Sequence, residues 1–452
     1  LLIAESRVLH RSLRDDLPIA VRGEGVRLFD SEGRAYLDAC GGAAVSCLGH
    51  SHPAPIEAIR RQAESLAYAH TAFFTSEPAE RLAADLLARA PKSFAKGRVL
   101  FLSSGSEANE AALKLARQYH LERGERKRGK FIARDSAYHG ATLGALSAGG
   151  HKVRRATYAP MLIDFGRIPP CYAYRGREEG ESEEGYGLRV ADALETEILR
   201  LGPDCVAAFI AEPVSGATLG AVPPVKGYFK RIREICDRYG VLLIADEVMC
   251  GSGRTGTFFA LEQESVAADI IVIAKGLGAG LQPIAAALVS ESVVAAIEAG
   301  SGLLAHGQTY MGHPMVCAAA LAVLETIDRD RLLANVSARG EQLNEALTAR
   351  LGQHPHVGDI RGRGLFRGVE LVANRENKTP FPAKAKLAQK LKNAAMARGL
   401  MIYPASGCAD GVLGDHALLA PPYIVGASDV EIIVERFAQA LDAAAEAAQA
   451  MA

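Results

Sequence analysis

Runs of apolar positions punctuated by charge divide this chain into short strands and longer helices. Residues 241–245 (VLLIA) and 270–274 (IIVIA) are apolar and rich in β-branched side chains, and each run is followed directly by a charged residue, Asp246 or Lys275. Unbroken apolar runs of that length predict strands buried on both faces, as in a parallel sheet. Residues 99–103, 130–133 and 205–211 read the same way. Apolar residues at helical spacing predict helices over 54–67, 78–90, 188–200, 225–239 and 312–327, another from the turn at 103–105 onward, and a further one reaching about Leu351. Strands alternating with helices predict an α/β fold around a mostly parallel sheet. The pattern changes towards the ends. Residues 20–40 alternate and turn at Ser31-Glu32-Gly33, predicting two short strands. Residues 357–372 are glycine-rich and alternate, predicting a strand; 400–403 and 417–419 predict two more, and 383–398 and 429–450 predict helices. The run GREEGESEEGYG at 176–187 reads as a solvated loop.

Composition narrows the function classes. At 452 residues the chain is too long for one hydrophobic core, so at least two domains are expected. A formal net charge of −1 gives no attraction to nucleic acid or to an anionic membrane. No apolar run reaches membrane-spanning length. The opening LLIAES has no basic n-region and is not expected to be a signal peptide. Eight scattered cysteines without a CxxC pair point away from a zinc site and towards a reducing, cytoplasmic compartment. His306 and His313 have no accompanying cysteine or carboxylate cluster, so no metal site is expected.

The candidate chemistry lies at strand ends. Open α/β sheets bind ligands at the carboxyl ends of their strands, and Asp246, Lys275 and Glu212 all emerge there. A lysine and an acid at one sheet edge are what pyridoxal phosphate requires: the amine forms a Schiff base and the acid keeps the pyridine nitrogen protonated. A buried structural ion pair is the plain alternative. The strand at 99–103 runs into SGSEAN, where Gly105 and Ser106 open a helix whose first amides are able to hold a phosphate; an ordinary helix cap has the same appearance. GSGRTG at 251–256 matches GxGxxG, but no helix opens on its glycines and no acid follows at the required distance, so a dinucleotide site is not expected.

Taken together, LLIADEV, GSGRTG and the AKG at 274–276 resemble the signature of the class III aminotransferases, the omega-amino-acid transaminase group in particular, and the resemblance runs from about residue 20 to the C-terminus. It implies the type I pyridoxal-phosphate fold. Residues 71–325 would form the large cofactor domain, and 1–70 with 326–452 a smaller α+β domain built from both ends of the chain. Lys275 would carry the cofactor covalently and Asp246 face its ring nitrogen. Gly105 and Ser106 would hold the phosphate. Tyr138 and Val248 would sandwich the ring, with His139 and Glu212 beside it. Thr309, in HGQTYMGHP, would cross to the partner subunit's cofactor phosphate, which implies a homodimer, with a tetramer as the larger alternative. Candidate pocket residues are Ala44, Phe73, Phe74 and Leu413, although a core position for the two phenylalanines has the better prior. Many members of the group place an arginine before the late Pro-Pro pair, but residues 399–425 contain none, leaving Arg254 and Arg367 as other sources. The expectation is a transaminase moving amino groups from amines or omega-amino acids to a keto acid, pyruvate before 2-oxoglutarate. A decarboxylase or aminomutase of the same fold shares every one of these residues, and a non-catalytic relative would be expected to lack Lys275 or the phosphate cup.

Overall fold

The computed structural model describes residues 6–449, so the opening run considered above as a leader lies almost wholly outside the described residues. The N-terminal part holds β1 (Ala20–Glu24), β2 (Arg27–Asp30) and β3 (Ala35–Asp38), one strand more than the alternation predicted. The middle of the chain supplies β4 (Arg98–Leu102), β5 (Lys130–Arg134), β6 (Gly166–Ile168), β7 (Val206–Ala211), β8 (Leu242–Asp246), β9 (Ile270–Ile273) and β10 (Ala285–Val289). These form one seven-stranded sheet in the order β4-β10-β9-β8-β7-β5-β6. β5 to β9 run parallel, and β10 is antiparallel to both its neighbours. The central strands β7, β8, β9 and β10 are buried along their whole length, as their unbroken apolar sequences require. β10 escapes the sequence pattern because AAALV is mostly alanine, which has little strand preference.

Helices cover both faces. Tyr228–Tyr239 buries Phe229, Ile232, Ile235 and Cys236 on one side and stops at Gly240, whose φ of 63° closes the helix and turns the chain into β8. Towards the C-terminus come β11 (Val357–Arg363), β12 (Phe366–Leu371), β13 (Leu400–Met401), β14 (Tyr403–Ser406) and β15 (Asp415–Leu419). The glycine-rich stretch at 357–372 is therefore a hairpin, not one strand; Gly364, at φ 53°, lies in its turn. β13 pairs in parallel with β3, so the two ends of the chain share a sheet. The run at 176–187 also differs from its reading. Ser182 caps a helix over Glu183–Leu201 by accepting from the Gly185 amide at 3.0 Å, and two glutamates occupy the first turn, where the helix dipole favours acids. No helix among the described residues is long and apolar enough to cross a membrane.

Candidate active site

Sheet order brings the site together. β5, β7, β8 and β9 are neighbours and parallel, so their carboxyl ends lie side by side. Tyr138 and His139 follow β5, Glu212 follows β7, Asp246 ends β8 and Lys275 follows β9. All five line one cavity of about 330 Å³, together with Gly105, Ser106 and Val248.

Asp246 is held on three sides. Its Oδ2 accepts from His139 Nδ1 at 2.7 Å and from Asn109 Nδ2 at 2.8 Å, and its Oδ1 accepts from the Val248 amide at 3.0 Å. Asn109 ties the same cluster to the backbone by donating to the His139 carbonyl at 2.7 Å. Glu212 accepts from the Tyr138 amide at 3.1 Å and the Gly216 amide at 2.8 Å, and burial raises its pKa. Lys275 stands at a backbone φ of 47°; its carbonyl accepts from the Gly278 amide at 3.0 Å, and its amine makes no hydrogen bond or ion pair among the described residues. Burial drives its amine from the ordinary 10.5 down to about 8, although Asp246 and Glu212 pull the other way.

The phosphate end is built on the helix Gly105–Glu122. Ser104 caps it, accepting from the Glu107 amide at 3.3 Å. Gly105 and Ser106 supply first-turn amides, which have no acceptor inside a helix. Ser106 Oγ accepts from the Ala141 amide at 3.0 Å, fastening the loop after β5 to the helix start. Gly140 makes that approach feasible, since a Cβ there would lie 2.5 Å from Ser106 Oγ. A Cβ on Gly105 would lie 2.8 Å from Val248 Cγ1. The residues present therefore fit pyridoxal phosphate: a free amine, a fixed carboxylate, a helix start with no room for a side chain, and buried polar atoms still without partners at Asn109 Oδ1 and His139 Nε2. Gly105→Ala is expected to push Val248 aside and weaken cofactor binding by about tenfold or more, given the usual cost of overpacking. A spectroscopic titration of the apoprotein measures this, and an unaltered affinity would remove the role given to this glycine.

The other candidate residues lie outside this cavity. Ala44 adopts φ 62° and packs among Val214, Met249 and Phe366, while its neighbours Ala43 and Val45 line the cavity instead. Leu413 sits in a turn closed by Asp410, whose Oδ1 accepts its amide at 2.7 Å, and it borders a different cleft beside Phe381 and Lys386. Phe73 and Phe74 are neither core nor walls of this cavity; they are 79% and 68% exposed. Thr309 is exposed in a turn where its carbonyl accepts from Tyr68 Oη at 2.9 Å. Arg254 is buried, giving Nη1 to the carbonyls of Leu365 and Pro421 and lying 4.6 Å from the Tyr423 ring. Arg367 spends its donors on Asn344 and on the carbonyls of Gly340, Gly362 and Gly364. Neither arginine lines the cavity. Arg154 and Arg11 do, and both escaped the sequence reading, as did Asn109. Asn109 carried one signal: a polar residue one helical turn beyond Gly105, on the face that starts the helix.

Residues 11–441 match the family model for aminotransferase class-III. An uncharacterised aminotransferase of Schizosaccharomyces pombe is 45% identical over 425 residues, covering 94% of this chain and 92% of its own. An (S)-enantioselective omega-transaminase from Thermomicrobium roseum has a similar structure, with a TM-score of 0.89 at 37% identity over 95% of this chain and 93% of that one. The omega-transaminase from Pseudomonas jessenii, solved in complex with PMP, also gives 0.89, at 35% identity over 95% and 93%.

Proposed function

This chain belongs to the pyridoxal-phosphate-dependent class III aminotransferases and is closely related to the omega-transaminases, and on that premise we propose that it moves an amino group from an amine or omega-amino acid to a keto acid, with pyruvate preferred. The observation that carries this reading is the unpaired Lys275 in one cavity with a triply held Asp246 carboxylate. Bound pyridoxal phosphate supplies a ring that takes up the electron pair released when a substrate C–H bond breaks. The chain's own residues do the rest. Lys275 Nζ removes the proton from the amine-bearing carbon and returns it one position away, a general-base and general-acid role for which an amine near pKa 8 is suited. Asp246 holds the proton on the ring nitrogen. His139 and Asn109 keep its carboxylate from turning. Gly105 and Ser106 would hold the phosphate, and Tyr138 and Val248 would flank the ring. Donor and acceptor use the same cavity in turn, which gives ping-pong kinetics.

A single half-reaction tests the proposal. Mixing the holoenzyme with an amine donor and no acceptor is expected to convert the cofactor spectrum to that of pyridoxamine phosphate with one equivalent of carbonyl product. Release of carbon dioxide, or no spectral change with any amine, would overturn it. An acceptor panel tests the finer part, and a strong preference for 2-oxoglutarate would remove pyruvate.

Covalent attachment of cofactor to the apoprotein reads the lysine's environment directly. Only the neutral amine attacks an aldehyde. At pH 7 an amine of pKa about 8 is neutral roughly a tenth of the time, against about one part in 3,000 for an ordinary lysine. The attachment rate is therefore expected to rise with pH and level off above about 8. A rise continuing past pH 10 would contradict burial as the controlling effect.

The proposal includes a homodimer in which Thr309 reaches the partner's cofactor phosphate. Exposed Tyr68, Phe73, Phe74 and Tyr310 lie on the same loops as Thr309 or on loops bonded to them, and their large apolar area supports an interface there. A monomer by sedimentation at micromolar concentration would remove this part.

A further inference from the structure

Arg154 lies in the short helix Lys152–Ala156 on the wall of the cavity that holds Lys275. Its neighbours on the same loop system are saturated. Arg155 donates to the carbonyls of Leu146, Ser147 and Gly149, and Arg167 donates to those of Arg134, Ala148 and Gly149. Arg154 differs. Its guanidinium makes no hydrogen bond or ion pair among the described residues; its backbone amide donates to His151 Nδ1 at 3.4 Å. The Cζ atom lies 4.8 Å from the centroid of the Tyr138 ring.

A guanidinium stacked on an aromatic ring keeps the N–H groups on its edge for other partners. A carboxylate meets such an edge with two parallel hydrogen bonds. The cavity's own acids do not compete for it, since Asp246 is held by His139 and Asn109, and Glu212 by two backbone amides. The tyrosine beneath the guanidinium lines the cavity that holds Lys275, so Arg154 and the catalytic amine share one cavity. Residues 399–425 contain no arginine, Arg367 is committed elsewhere, and Arg254, whose Nε and Nη2 have no partner, does not line the cavity.

We propose that Arg154 receives the substrate carboxylate, and that this chain therefore favours carboxylate-bearing acceptors and donors over uncharged aldehydes and simple amines. The inference rests on the functional reading above and deepens it. One guanidinium takes one carboxylate, so a monocarboxylic keto acid satisfies the site. Arg11, which also lines the cavity, comes from the N-terminal segment and is the alternative source.

The test compares R154M, R154K and R11M holoenzymes. The first readout is the ratio of kcat/KM for pyruvate to kcat/KM for butanal with one amine donor. R154M is expected to lower that ratio at least about tenfold, mainly through the KM for pyruvate, as the loss of a charge-assisted pair implies. R154K is expected to recover part of it, and R11M to shift it less than R154M does. The second readout needs no turnover: the resting holoenzyme is titrated with propanoate, which cannot react, and binding is followed by the cofactor absorbance. R154M is expected to weaken propanoate binding about tenfold or more. An unaltered ratio and unaltered propanoate affinity in R154M overturn the inference, as does a loss that follows R11M instead. Should the wild-type protein move no amine to either acceptor, the functional proposal falls while the propanoate titration still decides the role of Arg154.

Discussion

Lys275→Ala is expected to fold normally and to lose turnover by at least about a thousandfold, the scale of a missing general base. The expectation of normal folding comes from the environment of the side chain. Its amine has no bonding partner to strand, and its burial opposes the charged form, so truncation removes a group that the fold accommodates at a cost. The backbone at φ 47° is equally strained with either residue. Thermal melting of the cofactor-free variant should therefore show no loss of stability. Its half-reaction should stall, because no other lysine among the described residues lines the cavity. Peptide mapping of the wild-type protein after borohydride reduction gives the matching positive result, a cofactor label on the Lys275 peptide. A label on another lysine, or a variant within tenfold of the wild-type rate, would reassign the catalytic amine.

Asp246→Asn carries the second largest expected effect, and it differs because this variant disturbs a network as well as a charge. Oδ2 accepts from two side-chain donors and Oδ1 from an amide. An asparagine has one accepting oxygen, so at least one of these donors would face an NH2 group and be left unsatisfied, at a cost of about 1–3 kcal/mol. Stability should fall accordingly. Beyond that, the ring nitrogen would lose its anionic partner and the ring its pull on electrons. The half-reaction at saturating cofactor is expected to slow by about a hundredfold or more, the scale of losing one preorganised electrostatic contact. Melting and single-turnover kinetics separate the two effects. A variant that melts early yet reacts at the wild-type rate would make Asp246 a structural acid and refute its role at the ring.

The chain's own sequence determined the chemistry at strand ends. Asp246 and Lys275 were legible because a buried strand must be an uninterrupted apolar run, and the charge that breaks it marks where the chain leaves the sheet. Gly105 was legible because helix starts carry local signals. Positions whose meaning depends on long-range packing were not. Asn109 reaches Asp246 across 137 residues, and only the adjacency of β5, β7 and β8 with the helix start brings them within 2.8 Å. Arg154 follows β5 by twenty residues and a loop, so nothing in its neighbours' identity reveals that its guanidinium comes to rest on Tyr138. Ala44, Phe73, Phe74 and Leu413 lie outside this cavity for a related reason. Phe73, Phe74 and Leu413 lie in turns or loops and Ala44 ends an irregular single-turn helix, where one backbone angle, such as the φ of 62° at Ala44, decides which way a side chain faces. Periodicity carries no information there. Regular elements repeat a local geometry and write it into the sequence, whereas the direction of a loop side chain is set by whatever distant surface the loop is packed against.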